Sequence, residues 1–319
     1  MRKKWYLVLI FVLVVAQAVI SGCSLFQTPQ QKPQQTPGMK APGIEPDVTV
    51  YMHKTGEKKK MKMEEYIAGV VAGEMKPEWP VEALAAQAII ARTFMMEAIE
   101  NKGGVPNRGT QASTDIKEFQ AYDASAINDN VRKAVEMTRG MVATYQGRPI
   151  KTWFHASAGG ITTTAKEGLN YQDIEPPYIR SVESPDDLAP ADVQNWTASF
   201  TKADIIAALE KLGQKVSTID SVEIGQKGQS GRAVILVFNK TVQVPGPDFR
   251  VALDSIKLKS MLLSKIDVSS DSVVFSGKGY GHGVGMSQWG ANKLAQQGKS
   301  PEEIVAYYFN GVTIEKRWQ

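Results

Sequence analysis

The sequence predicts an α+β fold, with a single mixed domain of interleaved helices and strands behind a disordered tether. Helical apolar patterns alternate along the chain with runs of β-branched residues, without the regular strand–helix repeat of an α/β protein. The 319 residues are 43% hydrophobic, which is enough for a sizeable core. Residues 27–46, by contrast, contain five prolines and five glutamines and almost nothing apolar. Such a stretch cannot bury enough surface to fold.

The first 22 residues have the features of an export signal. "MRKK" supplies positive charge, and Trp5 to Ile20 is an apolar run of 16 residues. "VISGC" then places small residues before Cys23, the only cysteine. This pattern predicts a bacterial lipoprotein signal peptide with a lipobox over residues 1–22 and lipid attachment at Cys23. An uncleaved anchor helix and a plain secretory peptide are the alternatives, and all three place the folded part outside the cytoplasm.

The sequence predicts a lipid-anchored linker rich in Gln and Pro over residues 23–47. It predicts that residues 48–319 form the folded domain. Fully extended, residues 27–46 would reach roughly 60 Å from a membrane. Since Cys23 is the only cysteine, the exported part can form no disulfide. The net charge is +4, of which three charges come from residues 2–4. A nearly neutral body lacks the basic stripe of a nucleic-acid-binding protein, so we expect no nucleic acid partner.

The folded part opens with a strand at "VTVYM" and a helix at "MEEYIAGVVAGEM", which Pro77 and Pro80 end. The Ala-rich "VEALAAQAIIARTFMMEAIE" predicts a helix that is apolar nearly all round and therefore buried. "MVATYQGRPIKTWFHAS" predicts a hairpin with its turn at Gln146-Gly147. Further predictions are a helix at "TKADIIAALEKLG", strands at "AVILVFN", "TVQV" and "SVVFSG", and helices around Gln288 to Gln297 and at "SPEEIVAYYF", the last with a capping box.

Glu74 is the first candidate for chemistry. It lies on the same helical stripe as Ile67 and Val70. A carboxylate there either projects into water at a frayed helix end or is held against apolar neighbours. In the second case desolvation raises its pKa, as a general acid requires near neutral pH.

Arg92 lies in the Ala-rich helix, where an arginine without a partner would be costly. It either faces a cleft and positions a substrate or forms a structural ion pair. Pairing with Glu74 would lower the pKa of that carboxyl and work against acid catalysis. We therefore favour a substrate-positioning role, with the ion pair as the alternative.

His155 lies in "FHASAGG" and His282 in "GKGYGHGVGMSQWGA". Two histidines and no cysteine in the body are too few for a zinc site, so we predict neither a metal nor a cofactor. A serine hydrolase using Ser157 or Ser287 is conceivable, but neither serine lies in a G-x-S-x-G motif.

The second of these segments has glycine at every other position from 277 to 285. It matches neither the P-loop nor the dinucleotide-binding pattern. Alternating glycine permits a ligand, for example a sugar, to approach bare backbone groups. The alternative is a structural loop packed tightly against another strand.

Three blocks of the sequence, taken together, resemble the SpoIID/LytB family. They are "EEYIAGVVAGEM…WPVEALAAQAIIARTF", "FHASAGGITTTAKE" and "GKGYGHGVGMSQWGANKLAQQGKSPEEIVAYYFNGVTI", in that order, and the similarity runs from about Val48 to Ile314. The family includes the sporulation protein SpoIID, a lytic transglycosylase of peptidoglycan, and LytB-type modifiers of a wall amidase. The resemblance implies that Glu74 is the catalytic acid/base, and Arg92 matches a position implicated in SpoIID activity.

The function that the resemblance implies is cleavage of the MurNAc–GlcNAc bond in glycan strands stripped of stem peptides, in spore engulfment or wall remodelling. Its implied partners are peptidoglycan strands and a SpoIIP-like cell-wall amidase. The expected substrate-binding residues are Arg92, His155, Ser157, His282, Ser287 and Gln288. The alternative function is a non-catalytic glycan-binding module that recruits or activates an amidase. We expect an extracytoplasmic protein, lipid-anchored to the cell membrane.

Overall fold

Helices and strands alternate along residues 43–319, the part of the chain that the computed structural model describes. The helices are α1 (Met63–Glu74), α2 (Val81–Lys102), α3 (Asp129–Met137), α4 (Ala165–Leu169), α5 (Ala191–Gln194), α6 (Lys202–Lys211), α7 (Gly246–Leu253), α8 (Gln288–Gln296) and α9 (Pro301–Tyr308). The strands are β1 (Asp47–Met52), β2 (Glu57–Lys62), β3 (Ala112–Ser113), β4 (Met141–Tyr145), β5 (Arg148–Pro149), β6 (Phe154–His155), β7 (Trp196–Thr201), β8 (Val222–Lys227), β9 (Ala233–Phe238), β10 (Val242–Pro245), β11 (Leu263–Val268), β12 (Ser272–Gly277), β13 (Met286–Ser287) and β14 (Thr313–Lys316). The predicted α+β class is confirmed.

The first hydrophobic core surrounds α2. Thirteen of its 22 residues are buried, so the helix is enclosed on nearly every side, as its Ala-rich sequence predicts. Helices α1, α3, α8 and α9 pack against it, together with strand β4. Small side chains along α2 allow these close approaches. This core fixes the end of α1, where Glu74 lies, relative to the start of α8.

A second core lies between residues 196 and 275. Two three-stranded antiparallel sheets, in the orders β10-β9-β8 and β11-β12-β7, enclose it together with α6 and α7. Its centre is a group of aromatic rings, Phe200, Phe238, Phe249 and Phe275. The region predicted as one domain is one compact unit, but it contains two cores.

Strands β6 and β13 form a short parallel pair, with Phe154 opposite Met286 and His155 opposite Ser287. The pair brings the segments "FHASAGG" and "GKGYGHGVGMSQWGA" side by side, although about 130 residues separate them in the chain. Helix α8 begins directly after β13, and the Ser287 side chain caps it by accepting a hydrogen bond from the Gly290 N–H.

The folded part begins earlier than the predicted boundary at residue 48. Gly43 N donates to Arg317 O at 2.7 Å, and Glu45 accepts a hydrogen bond from the Glu64 N–H at 2.9 Å. Residues 43–47 therefore belong to the domain, because the Glu45 carboxylate binds the start of α1. The predicted signal peptide, Cys23 and the rest of the predicted linker lie outside the described residues.

Several local predictions are confirmed. The hairpin turn at Gln146 and Gly147 has both residues at positive φ, and Ser300 and Glu303 form the capping box of α9. Among the helices within residues 43–319, none combines the length and the apolar character needed to cross a bilayer.

Candidate active site

Glu74 is the last residue of α1, and its side chain is half-buried. One carboxylate oxygen accepts a hydrogen bond from the Ala121 N–H at 2.7 Å, and the Gln288 side chain also hydrogen-bonds to the carboxylate. Burial raises the pKa of Glu74 above its usual value, and these two hydrogen bonds offset part of that rise. The negative end of the helix dipole acts in the same direction as burial. Glu74 is thus held among neighbours and does not project freely into water.

Two glycines of α1 let the chain segment after Phe119 cross directly over the helix. A β-carbon on Gly73 would lie 2.8 Å from the Tyr122 backbone nitrogen, and one on Gly69 would overlap the Tyr122 ring. Asp123 N donates to Gly69 O at 2.9 Å. The small residues in "AGVVAGEM" therefore permit the contact that brings the Ala121 N–H to the Glu74 carboxylate.

Three buried glutamines surround this end of α1. Gln288, one of the predicted site residues, lies 3.5 Å from Gln87 Oε1 through its amide nitrogen. Within residues 43–319, the Gln87 amide nitrogen and both amide atoms of Gln120 are buried without a hydrogen-bond partner. Gln120 directly precedes the residue whose N–H binds Glu74. Unpartnered buried amides are uncommon and mark a place where a polar ligand or water can bind.

Two tryptophans pack beside Glu74. Their rings have centroids 4.5 Å apart at an angle of 57°, and both side chains are half-buried. Trp79 follows Glu74 after a short turn, and Trp289 follows Gln288 in α8. Neither tryptophan was predicted from the sequence as a site residue, and neither were Gln87 and Gln120. The sequence did contain a signal for the tryptophans, because Trp79 follows the candidate Glu74 closely and Trp289 directly follows the candidate Gln288.

Arg92 is not exposed to substrate, which corrects the predicted positioning role. Its side chain is fully buried and forms a salt bridge of 2.6 Å with Glu64 near the start of α1. The guanidinium also donates to Met141 O at 2.8 Å, and Glu64 accepts further hydrogen bonds from Gly140 N and Trp318 Nε1. Of the two alternatives, the structural ion pair is the one observed.

His155 and His282 lie with ring centroids 5.5 Å apart, and His155 lies opposite Ser287 in the β6–β13 pair. His155 Nδ1 lies 3.1 Å from Val284 O, and His282 Nδ1 accepts from the Val284 N–H at 3.1 Å. Burial lowers the pKa of His155 well below its usual range, with His282 and Arg232 adding to the effect. Burial also lowers the pKa of His282 to about 3. Both rings are therefore neutral, and both contact the Val284 backbone. Their binding of substrate stays a prediction.

The alternating glycines pack against other parts of the protein. Gly279, Gly281, Gly283 and Gly285 all have positive φ. A β-carbon on these residues would overlap, in turn, the Ser157 carbonyl, the His155 side chain, the Arg232 guanidinium and the Trp153 carbonyl. The structural alternative, a loop packed tightly against another strand, is the one observed.

Ser157 and Ser287 lie close to a second feature, an open cavity of about 310 Å³ lined by residues that include Ser157, Asp186 and Lys278. Ser287 Oγ donates to Asp186 Oδ1 at 2.6 Å. Neither serine hydrogen-bonds to a histidine ring among residues 43–319, so they form no catalytic pair of the serine hydrolase type. Ser287 and Gln288 are consecutive, so the cavity and the Glu74 site are neighbours.

No group of three or more His, Cys, Asp and Glu side chains capable of holding a metal ion occurs in the described part of the chain.

Comparison with known proteins identifies the relatives of this chain. Residues 51–145, which include Glu74, match the family described as SpoIID, stage II sporulation protein. Stage II sporulation protein D of Bacillus subtilis is 31% identical over 288 residues, covering 84% of this chain and 79% of that protein. Its counterpart in Bacillus amyloliquefaciens is 32% identical, covering 84% of this chain and 78% of that protein. The chain belongs to the SpoIID family.

Two further matches extend beyond the SpoIID block. The amidase enhancer of Bacillus subtilis is 29% identical over 296 residues, which are 78% of this chain but only 40% of that protein. Residues 178–285 match a family described as a domain of unknown function. This match contains the whole second core, whereas the first core extends beyond the SpoIID match to residues near both ends of the described chain.

Proposed function

We propose that this SpoIID-family protein is a peptidoglycan lytic transglycosylase that cleaves the MurNAc–GlcNAc bond of strands without stem peptides. The observation that carries the proposal is the state of Glu74, a half-buried carboxyl with a raised pKa and only uncharged hydrogen-bond donors around it. Such a group can give a proton near neutral pH and take one back. The names of the Bacillus relatives support a role in sporulation.

In this reaction one carboxyl acts twice. The protonated Glu74 gives its proton to the oxygen that links MurNAc to GlcNAc, and the bond from that oxygen to the MurNAc C1 breaks. The resulting carboxylate then takes the proton from the MurNAc C6 hydroxyl as that oxygen bonds to C1. The products are a 1,6-anhydro-MurNAc end and a GlcNAc hydroxyl. Since no water is consumed, no second carboxylate is required, unlike in most glycosidases.

The surroundings of Glu74 suit a sugar chain. The unpartnered amides of Gln87 and Gln120 are too deeply buried to contact a sugar directly, but they are polar sites that ordered water can occupy. Trp79 and Trp289 offer apolar surface for a pyranose ring. In this proposal the open cavity beside Ser157 receives a neighbouring sugar of the strand.

The test compares Glu74→Gln with Glu78→Gln, a variant of an exposed glutamate in the following turn. Purified strands are prepared with and without amidase treatment, and products are identified by mass. We expect the unsubstituted protein and Glu78→Gln to release 1,6-anhydro ends, and Glu74→Gln to lose about 10²- to 10⁴-fold in rate. If Glu74→Gln released 1,6-anhydro ends at the full rate, Glu74 would not be the catalytic acid/base.

A second candidate function is a glycan-binding protein that recruits or activates an amidase. The similarity to the amidase enhancer favours it. In that case the unsubstituted protein would release no anhydro product from any strand, and would instead raise the rate of an added amidase. Glu74→Gln would then leave the amidase rate unchanged.

We also propose, from the sequence, that the protein is exported, lipid-anchored at Cys23 and active outside the cytoplasm beside a SpoIIP-like amidase. Cys23→Ala should move the protein from the membrane fraction to the soluble fraction of cells. Membrane retention of this variant would contradict the lipid anchor and favour an uncleaved helix.

A further inference from the structure

A lysine ammonium lies over one ring of the Trp79–Trp289 pair. Lys76 Nζ is 5.4 Å from the centroid of the Trp289 ring, and the Trp289 ring in turn packs against Trp79. A cation at this distance from a tryptophan face is attracted by the ring quadrupole. The side chain of Lys76 is exposed and forms no salt bridge within residues 43–319. Lys293, on the same helix as Trp289, is by contrast neutralised by Asp187 at 2.7 Å.

The position of Lys76 connects it to the acid. It lies two residues after Glu74, in the turn that leads to Trp79, and the Trp79 N–H donates to Lys76 O at 3.0 Å. Across from this turn, Gln288 hydrogen-bonds to Glu74 and the next residue, Trp289, contacts Trp79. The end of α1 and the start of α8 thus carry three groups close together in the chain. They are the Glu74 carboxyl, the apolar rings of Trp79 and Trp289, and the Lys76 ammonium.

A glycan strand of the proposed substrate class offers one group that such a cation distinguishes. Each muramic acid carries a lactyl side group, which is an uncharged amide where a stem peptide is attached and a carboxylate where the peptide has been removed. We propose that Lys76, held over Trp289, recognises the free lactyl carboxylate of a muramic acid whose ring packs on the Trp79–Trp289 pair. Lys76 is then a specificity-determining residue for strands without peptides. This inference rests on the proposed function, because it names the substrate feature read at the same site.

The expected preference for the carboxylate is small, because the ion pair between Lys76 and the lactyl carboxylate would be exposed to solvent. An ion pair between exposed groups is worth little, and it corresponds here to a preference of about threefold to fivefold for the carboxylate. The preference should shrink as salt is raised, because screening acts on exposed charges. The Trp79–Trp289 pair should bind charged and uncharged strands equally, since it contacts apolar ring surface.

Binding is measured with the full chain carrying Glu74→Gln, so that the strands are not consumed. The two probes are amidase-treated strands and the same strands with the lactyl carboxylate converted to a methylamide. We expect the carboxylate strands to bind about threefold to fivefold more tightly. Adding Lys76→Met should abolish this difference. The matched control is Lys240→Met, which removes an exposed lysine at the turn between β9 and β10, and it should keep the preference. Trp289→Leu should weaken the binding of both strands by about tenfold.

Equal binding of the two strands by the protein with Lys76, or a preference that survives Lys76→Met, would overturn the inference. So would failure to bind either strand. The proposed function fails separately. If the unsubstituted protein prefers carboxylate strands through Lys76 but releases no anhydro ends, the reaction is wrong and the recognition stands. If it releases anhydro ends equally well from both strands, the reaction stands and the recognition is wrong.

Discussion

Helix α1 carries a partly or fully buried glutamate near each end, and the surroundings of the two carboxyl groups differ. Glu64, near the start, is buried and accepts hydrogen bonds from the Arg92 guanidinium, the Trp318 indole and the Gly140 amide. Among the described residues, the Glu74 carboxyl at the end interacts with the Ala121 amide and the Gln288 side chain. The helix dipole adds to the contrast, because its positive end faces Glu64 and its negative end Glu74. Both residues are glutamates, so the difference between the two carboxyl groups comes from the number and charge of the hydrogen-bond donors around each.

The largest expected effect comes from removing the cation at the Glu64 end. Arg92→Met leaves a buried carboxylate without its partner, which should cost about 3–5 kcal/mol in the free energy of unfolding. Chemical denaturation measures this loss. The matched control is Arg108→Met, which breaks the partly exposed pair with Glu118 and should cost less than about 1 kcal/mol. If the two variants lost similar amounts of free energy of unfolding, the buried pair of Arg92 and Glu64 would be no more important for stability than an exposed pair.

A smaller effect of opposite sign is expected at the other end. Since burial raises the pKa of Glu74 in the folded state, folding loses stability as pH rises from the unfolded pKa of this group through the folded one. Gln cannot ionise, so Glu74→Gln should be more stable than the unsubstituted protein by about 1 kcal/mol at pH 7. At pH values below about 4 both side chains are neutral and the difference should vanish.

Thermal or chemical unfolding at pH 7 and at acidic pH checks this prediction, with Glu78→Gln as control. Glu78 is exposed, and its replacement should leave stability unchanged at both pH values. A loss of stability at pH 7 in Glu74→Gln would mean that the Glu74 carboxylate is bound as favourably as that of Glu64, and the contrast would disappear.

The smallest expected effect concerns the hydrogen bond from α8. The Gln288 side chain lowers the pKa of Glu74, so Gln288→Leu should raise that pKa further. The alkaline limb of the pH–rate profile, which reports loss of the acid form, should therefore move to higher pH, with a change of less than about tenfold in rate near neutral pH. Gln296→Leu, on an exposed position of the same helix, should leave the profile unchanged. A shift toward lower pH would contradict the assignment.

The sequence predicted well those features that depend on local pattern. The Ala-rich α2, the capping box of α9 and the hairpin turn at Gln146 follow from composition and spacing within a few residues. The stripe of Ile67, Val70 and Glu74 left two placements of the carboxyl open, and the structure shows the one in which it is held among neighbours. In each case the evidence lies within one element.

Features that depend on contacts between distant segments could not be predicted in this way. Glu64 and Arg92 are 28 residues apart, and no pattern in either helix selects one as the partner of the other. The alternating glycines fit a loop packed against protein as well as one packed against ligand, and only the overlaps with residues 153–159 and with Arg232 decide between them. The sequence does not distinguish Gln87 from the other residues of its apolar helix. It belongs to the candidate site because Gln288 approaches it from α8.

The first and the last segments that the structure describes lie side by side. Gly43 forms a parallel bridge with Trp318, through the 2.7 Å bond from its N–H to Arg317 O, and the Trp318 side chain is buried against Glu64. Because the two ends meet, a short peptide joining residue 319 to residue 43 would close the chain into a ring without stretching it. New termini opened at the turn of Asn239 and Lys240 would then give a circular permutant in which the segment bearing Glu74 comes after the segment bearing Gln288. The geometry of the site does not require the natural order of its parts.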